Sequence, residues 1–178
     1  GLFGLKPSRG RTPMGPYRTE GWGGMSTHHV ITRTVRDSAA LLDATHGVEP
    51  GSRYAAPTPD GTFLAQLERK PGRLRIALMR KPLSGAPVDP ECLAALDQAA
   101  RLCESLGHHV EEAAPKLDAG AMGQASFVLI ASSLAADLTD QASRLGIELG
   151  PDVLEPITLG FHGYGKTLSG MDAARSHN

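Results

Sequence analysis

The spacing of hydrophobic and polar positions predicts an α/β fold. In the segment RLRIALM every second residue from Leu74 to Leu78 is apolar, which is typical of a half-buried strand. Asp89 and Pro90 then provide the start of a helix, and Gly107 provides its end. The segment HHVEEAAP follows as a second short strand. This strand–helix–strand order favours a parallel pair joined by a right-handed crossover.

The remaining periodic segments predict helices. Thr34 begins one, with Asp37 completing a capping box, and Gly47 ends it. A long helix is expected from Ala119 to about Leu145.

Three more boundaries are predicted near the end of the chain. The pair Gly150-Pro151 breaks the long helix, and another helix is expected from Asp152. The segment GFHGYGK is expected to interrupt that helix, and Thr167 or Ser169 is expected to cap a last short one.

We expect these elements to form a single partial domain. Its predicted parts are residues 1–47, a Gly-rich opening with one short strand near Leu2–Leu5 and a helix; 48–72, a linker loop; 73–114, the β-α-β unit; and 115–178, a mainly helical segment. The opening lacks a polar lead-in and the last helix is short, so the sequence suggests a piece of a larger protein.

The composition indicates which kinds of molecule this chain is not expected to bind. Of the 178 residues 40% are hydrophobic and 21% are charged, and the formal net charge is −1. A net charge this close to zero gives no sign of the excess positive charge that binds nucleic acid or an anionic membrane surface. The longest uninterrupted apolar run, from Phe127 to Ala131, is far shorter than the ~20 residues that cross a bilayer. We therefore expect neither nucleic acid nor membrane as a partner.

The two cysteines are expected to be free thiols. Cys92 and Cys103 lie eleven residues apart in one predicted helix, which separates them by roughly 16 Å along its axis. A disulfide needs Cα atoms within about 7 Å. Unpaired cysteines fit a cytoplasmic protein, and here they are interpreted as packing residues rather than nucleophiles.

Motifs for other chemistry are weak. Lys6 follows the opening glycines without the spacing of a phosphate-binding loop. The pairs His28-His29 and His108-His109 lack the spacing of metal ligands, so no metal site and no cofactor are expected. The helical pair Ser132 and Ser133 has two open interpretations: hydrogen bonds back to the preceding turn, or contact with a ligand.

Three ordered motifs carry a family resemblance. They are GLKPSRGR at the start, T-R-T-V-R-D-S-A-A-L-L-D from Thr32 to Asp43, and the loop GVEPGSRYAAPTP. Together they closely resemble the amidase-signature hydrolases, although His29-Val30 stands where that family commonly has Gly-Pro. Within the family, the segments GRTPMGP and GWGGM look most like bacterial 6-aminohexanoate-cyclic-dimer hydrolases.

The resemblance implies a function. Family members hydrolyse amides through a Ser nucleophile, a Ser in a cis peptide and a Lys, with backbone amides holding the oxyanion. All three residues precede the GLKPSRGR motif, so the resemblance implies that the triad lies upstream of Gly1, that this chain contains no catalytic residue, and that it is inactive alone. Lys6 matches a scaffold position. The implied partner is a small-molecule amide, either cyclic or linear and of the 6-aminohexanoate type.

The resemblance also implies which residues face the substrate. In relatives, the stretch between GLKP and the following helix comes near the nucleophile, and the segment after the second strand contributes to the substrate channel. The residues expected to face the substrate are therefore Gly21, Trp22, Gly23, Gly24, Met25, and Phe127, Ser132, Ser133. For Trp22 the alternative is packing on its own loop.

Two other functions remain open. The chain could be a stand-alone α/β binding module that self-associates through an exposed apolar patch. It could also be a piece of an amidotransferase A-type subunit, although the segment STHHVI departs from the D-Q-I-G-P run of those subunits.

Overall fold

A computed structural model describes residues 1–16 and 18–177 of the chain. Within these described residues, four short strands and six helices follow in the order β1 (Phe3–Gly4), β2 (Ile31–Thr32), α1 (Val35–Thr45), α2 (Phe63–Gln66), β3 (Arg75–Leu78), α3 (Pro90–Ser105), β4 (His109–Glu112), α4 (Ala119–Leu145), α5 (Pro156–Gly165) and α6 (Gly170–Ser176). A 3₁₀ turn at Trp22–Gly24 precedes β2. The α/β class predicted from the sequence is confirmed.

The chain divides into two compact units. Unit 1 comprises Gly1–Arg69 with Ala125–Asn178, and unit 2 comprises Lys70–Gln124. The boundaries expected from the sequence, with a single partial domain in four parts, stay a prediction.

In unit 1, helix α1 covers a two-stranded sheet. Strands β1 and β2 pair antiparallel, with Phe3 opposite Thr32. The side chain of Thr34 caps α1 by accepting from the backbone N–H of Asp37 at 3.0 Å. The inner face of α1 buries Ala39 and Leu42, and one fully buried leucine contributes about 1.5–3 kcal/mol.

The α1 boundary differs in one detail from the prediction. A full capping box would need the Asp37 carboxylate to accept from the Thr34 backbone, yet of these two bonds only the one to the Thr34 hydroxyl is formed. The helix ends at Thr45 with His46 as its C-cap, so Gly47 follows directly after the cap, as predicted.

Helix α5 corrects the prediction for the segment GFHGYGK, which continues the helix instead of interrupting it. The reason is close packing at Gly165, where a Cβ would clash with the Ala131 carbonyl oxygen and lie 2.7 Å from Ala135 Cβ. Glycine is therefore required by the contact with α4. It does not act here as a helix breaker.

The start of α5 was also predicted wrongly. The helix begins at Pro156, with Glu155 as its N-cap, and not at Asp152. Proline suits the first helical position because its missing N–H has no helical acceptor there.

The linker 48–72 also contains α2, which the prediction missed although Thr62 caps it by accepting from Ala65 N–H.

Unit 2 contains the predicted β-α-β arrangement. Strands β3 and β4 are parallel, with Ile76 opposite Val110, and α3 connects them. The carboxylate of Asp89 caps α3 by accepting from Glu91 N–H at 2.8 Å, as predicted. The two shortest ion pairs on this unit's surface join Arg75 with Glu111 and Arg80 with Asp97, each at 2.6 Å.

Helix α4 has the bounds that the sequence predicts. Its 27 residues and a mean hydropathy of 1.4 over its most apolar window also meet the length and composition criteria for a membrane-crossing helix. Its longest uninterrupted apolar run is nevertheless short, because Gly, Gln, Ser and Asp residues divide its apolar stretches. The buried core helix of a soluble protein meets the same two criteria, so this finding is weak evidence for a membrane.

Candidate functional site

The main cleft of unit 1 has a volume of about 570 Å³, within the range of about 300–1,000 Å³ typical of small-molecule sites. Its walls are formed by Pro16 and residues 18–23, by helix α4, and by helix α6 with the residue that follows it. The lining comprises Pro16, Arg18, Thr19, Glu20, Gly21, Trp22, Gly23, Leu129, Ser132, Ser133, Ala136, Asp137, Ala173 and His177.

One wall of the cleft is a tight turn in left-handed backbone. Trp22, Gly23 and Gly24 have φ values of 49°, 62° and 82°. Glycine adopts this conformation freely, but a tryptophan there costs on the order of 1–3 kcal/mol, and such strain clusters at functional sites. The turn is closed by Gly24 N–H donating to the Gly21 carbonyl at 3.0 Å.

A network of polar side chains holds this turn in place. Arg9 Nε donates to the Gly24 carbonyl oxygen at 2.9 Å, and the guanidinium lies 5.1 Å from the centre of the Tyr54 ring. The Tyr54 hydroxyl donates to Glu20 at 3.1 Å, and Arg53 pairs with the same carboxylate at 2.6 Å. These contacts hold the backbone on both sides of Trp22, whose side chain lines the cleft and is 44% exposed.

Helix α4 supplies the opposite wall. Leu129 is buried, and Ser132, Ser133 and Asp137 follow toward the cleft's charged end. Ser132 Oγ donates to the Leu129 carbonyl at 3.2 Å, which is the bond back to the preceding turn. The hydroxyls of Ser132 and Ser133 also line the cleft, so the two interpretations of this pair are compatible.

The charged end of the cleft is an ion pair. Arg18 Nη1 lies 2.6 Å from Asp137 Oδ2, and the two side chains are 44% and 29% exposed. A second cleft, of about 490 Å³, shares this pair and is lined further by Asp140, Ser143 and Arg144. The pair thus forms a polar boundary between an amphipathic cleft and a strongly polar one.

Helix α6 completes the wall with Ala173 and His177. Its start is fixed by a full capping box: Ser169 N–H donates to Asp172 Oδ2 at 2.8 Å, and Asp172 N–H donates to Ser169 Oγ at 3.2 Å. Hydrogen bonds from the Ser169 hydroxyl and backbone lower the pKa of Asp172. The prediction that Ser169 or Thr167 caps this helix is confirmed for Ser169.

The structure brings five predicted site residues together and separates three. Gly21, Trp22, Gly23, Ser132 and Ser133 line the cleft, but Gly24, Met25 and Phe127 are not among its described lining residues. Gly24 is buried beneath Arg9. Phe127 packs on Phe161 and Tyr164, with ring centres 4.9 and 5.0 Å away. A role in substrate binding stays a prediction for all eight.

Sequence reasoning missed Arg18, Asp137 and His177 in this cleft. A signal existed for Asp137, which follows Ser133 by four residues in the same predicted helix, so both share one face. Arg18 lies on an irregular loop, and His177 near the end of the chain, so spacing could not place either.

Neither histidine pair and neither cysteine is among the described residues that line the cleft. His29 Nε2 is 2.8 Å from Ser38 Oγ, and Ser38 is 1% exposed, so this imidazole supports the start of α1. Cys92 is exposed and Cys103 is half-buried, and both are free. Across residues 1–16 and 18–177, no three His, Cys, Asp or Glu side chains gather as a metal site.

The motifs and this cleft can be set beside known proteins. The Amidase family profile matches residues 1–158. The 6-aminohexanoate-cyclic-dimer hydrolase of Pseudomonas sp. (strain NK87) is 38% identical over 131 residues, which is 72% of this chain and 26% of that protein. The putative amidase AmiB2 of Mycobacterium tuberculosis (strain ATCC 25618 / H37Rv) is 45% identical over 112 residues, 62% of this chain and 22% of that protein.

Solved structures agree on the fold. A 6-aminohexanoate cyclic dimer hydrolase superposes with a TM-score of 0.84 at 28% identity, covering 99% of this chain and 37% of that one. A bacterial aryl acylamidase of the amidase-signature family gives a TM-score of 0.81 at 22% identity, covering 98% and 36%, which supports the fold alone. The chain therefore spans about a quarter to a third of the proteins it matches.

Proposed function

Because this chain belongs to the Amidase family, we propose that the protein containing it hydrolyses carboxylic amides. The observation that carries the proposal is the profile match over residues 1–158, joined to a solved hydrolase that covers 99% of the chain. The motifs GLKPSRGR and T-R-T-V-R-D-S-A-A-L-L-D lie inside the matched range.

The proposed mechanism is acyl transfer to serine. A Lys, acting through a Ser in a cis peptide, takes the proton of the Ser nucleophile, which attacks the amide carbonyl while backbone N–H groups hold the oxyanion. The amine leaves with a proton, and water then hydrolyses the ester to release the acid. In this proposal the three reactive residues lie outside the 178 residues, and the chain supplies scaffold and part of the substrate site.

The proposed substrate site is the cleft between the Trp22 turn and helix α4. Trp22 and Leu129 supply apolar surface, and the hydroxyls of Ser132 and Ser133 supply hydrogen-bonding groups. An apolar wall with few polar groups suits an amide carried on an aliphatic chain. The relatives named as 6-aminohexanoate-cyclic-dimer hydrolases support a substrate of the 6-aminohexanoate type.

Trapping with hydroxylamine tests both reaction and mechanism. The full-length protein is incubated with hexanamide and with the cyclic dimer of 6-aminohexanoate, with and without hydroxylamine. An acyl-enzyme partitions to the hydroxamate, so we expect hydroxamate and acid together, at rates that chelators leave unchanged. Hydrolysis without hydroxamate and lost with a chelator would instead indicate a metal-activated water and overturn the mechanism.

The chain alone is proposed to be inactive. Residues 1–178 and the full-length protein are compared at equal concentration, with released amine measured over hours. If residues 1–178 alone release amine, and this activity persists through purification, the proposed location of the reactive groups is contradicted.

We also propose a cytoplasmic location for the protein and self-association of the isolated chain. Free cysteines suit the cytoplasm, and exposed apolar residues such as Leu102 and Leu106 give the isolated chain a surface for self-association. Cell fractionation tests the first point, and light scattering of the isolated chain tests the second.

A further inference from the structure

The cleft has one rigid charge and one movable charge at its polar end. Asp137 lies within the 27-residue helix α4, whose backbone is fixed by its own hydrogen bonds, and its side chain is 29% exposed. Arg18 lies on a loop, and its longer side chain is 44% exposed. If the two separate, the carboxylate keeps its place in the cleft while the guanidinium is free to turn into solvent.

The two carboxylates at the cleft differ in how they are held. The cleft lining contains two carboxylates, Asp137 and Glu20, and one guanidinium, Arg18, with the imidazole of His177 as the other group that can carry a proton. Glu20 is already held by Arg53 and Tyr54. Asp137 is therefore the carboxylate that an incoming ligand can take over, by replacing Arg18.

We propose that Asp137 binds an ammonium group on the substrate, so that the preferred amides carry a positive charge at the end of an aliphatic chain. The chain would lie along Trp22, Leu129 and Ala136, and the ammonium group would donate to the Asp137 carboxylate. This inference rests on the proposed function and selects, among 6-aminohexanoate-type amides, the linear forms with a free amino end.

A set of three amides tests the charge preference in the full-length protein. Hexanamide is neutral, 6-aminohexanamide is cationic, and adipic acid monoamide is anionic, while their chain lengths match. We expect kcat/KM to be highest for the cationic amide, through a lower KM. Equal values, or a preference for the anionic amide, would overturn the inference while leaving the amide hydrolase intact.

Two substitutions with opposite expected effects exclude a merely structural role. Asp137→Asn removes the charge and is expected to lower the cationic-to-neutral ratio of kcat/KM about tenfold, as expected for loss of one hydrogen bond to a charged group. Arg18→Gln removes the competing guanidinium and is expected to lower KM for the cationic amide. If the ion pair between Arg18 and Asp137 were only structural, both substitutions would lower kcat/KM for the cationic amide.

The matched control is Asp140→Asn. Asp140 lies one turn further along α4 and lines the second cleft but is not among the described residues of the first. We expect this variant to keep the cationic-to-neutral ratio. If Asp140→Asn lowered this ratio as much as Asp137→Asn does, the cause would be the overall negative charge of this part of the helix. The specific role of Asp137 would then be overturned.

Calorimetry with hexylammonium separates this inference from the proposed function. Hexylammonium has no amide, so its binding does not depend on catalysis. Binding that Asp137→Asn weakens supports the cation site even if none of the amides is hydrolysed, in which case the proposed function alone fails. Binding that is absent, or unchanged by Asp137→Asn, overturns the inference.

Discussion

Unit 1 and unit 2 are built from similar amphipathic elements, yet they differ in how fully they bury their side chains. Among the described residues of the chain, the seven buried hydrophobic ones all belong to unit 1: Ala39, Leu42, Val128, Leu129, Ala131, Ala135 and Ala142. In unit 2, every residue of which the structure describes, the apolar positions of α3 are at most half-buried. Apolar packing is therefore more complete in unit 1, whereas unit 2 has a strand ladder, a capped helix and partly buried apolar residues.

This difference teaches that amphipathic spacing specifies an element and leaves its burial undetermined. Helix α3 has the spacing, cap and Pro90 that predict it, and it forms from Pro90 to Ser105 as expected. An apolar stripe lowers the free energy only when a second surface covers it. The following substitutions test whether unit 2 depends on such a surface.

Removing a buried leucine should give the largest effect. Leu42 is 4% exposed, so Leu42→Ala is expected to lower the free energy of unfolding by about 2–5 kcal/mol. The matched change in unit 2 is Leu102→Ala, at 60% exposure, expected to stay within about 0.5 kcal/mol. Urea unfolding of the full-length protein measures both, and an equal loss at Leu102 would show that another part of the protein covers α3.

Adding one methyl group at the α4–α5 contact should be next in size. In Gly165→Ala the new Cβ meets the Ala131 carbonyl and Ala135, and overpacking of this kind costs about 1–3 kcal/mol.

The same helix offers a matched control in Gly160→Ala, whose Cβ meets nothing within 4 Å and which should stabilise the helix by up to about 1 kcal/mol. Thermal unfolding of the full-length protein compares the two variants. The packing argument fails if both shift the melting temperature in the same direction.

The cap of α3 should have a smaller and more local effect. Asp89→Ala removes the acceptor for Glu91 N–H and is expected to cost about 1 kcal/mol, while Asp89→Ser should retain most of the stability. Amide hydrogen exchange along Pro90–Ser105 measures this directly. Slow exchange maintained in Asp89→Ala would mean that tertiary contacts hold the helix start.

The smallest effect on stability should come from lowering the pH. Hydrogen bonding and charge from Arg80 lower the pKa of Asp97, and Arg75 lowers that of Glu111 in the same way. Because both folded pKa values are depressed, their contribution is complete above the ordinary carboxyl pKa and is lost as pH falls through the folded values.

These carboxylates are well exposed, so the effect should shrink at high salt. Carboxyl NMR titration at low and at 1 M salt measures it. In Arg80→Met the pKa of Asp97 should return toward its ordinary value while that of Glu111 keeps its depression. A pKa of Asp97 that is unchanged by Arg80→Met would contradict the assignment.

Local signals were sufficient for much of the fold. The bounds of α4 follow from its apolar spacing, and the starts of α1 and α3 follow from Thr34 and Asp89. The error at α5 arose because a glycine-rich segment reads locally as a breaker, while its real role depends on a contact with Ala131. Tertiary contacts of this kind have no local signature.

The candidate site was predicted in part for the same reason. The family resemblance pointed to Trp22 and Ser133, and helical spacing from Ser133 would have added Asp137. Arg18 pairs with a residue 119 positions away, and the strain at Trp22 is visible only in backbone angles. Neither feature follows from a sequence pattern.

The indole at position 22 has a practical consequence, because it is the chain's only one and it borders the cleft. Its emission wavelength depends on whether water or a bound molecule lies against it. In difference spectra between the native protein and Trp22→Phe, this single chromophore would report occupancy of the cleft in real time, without any added dye.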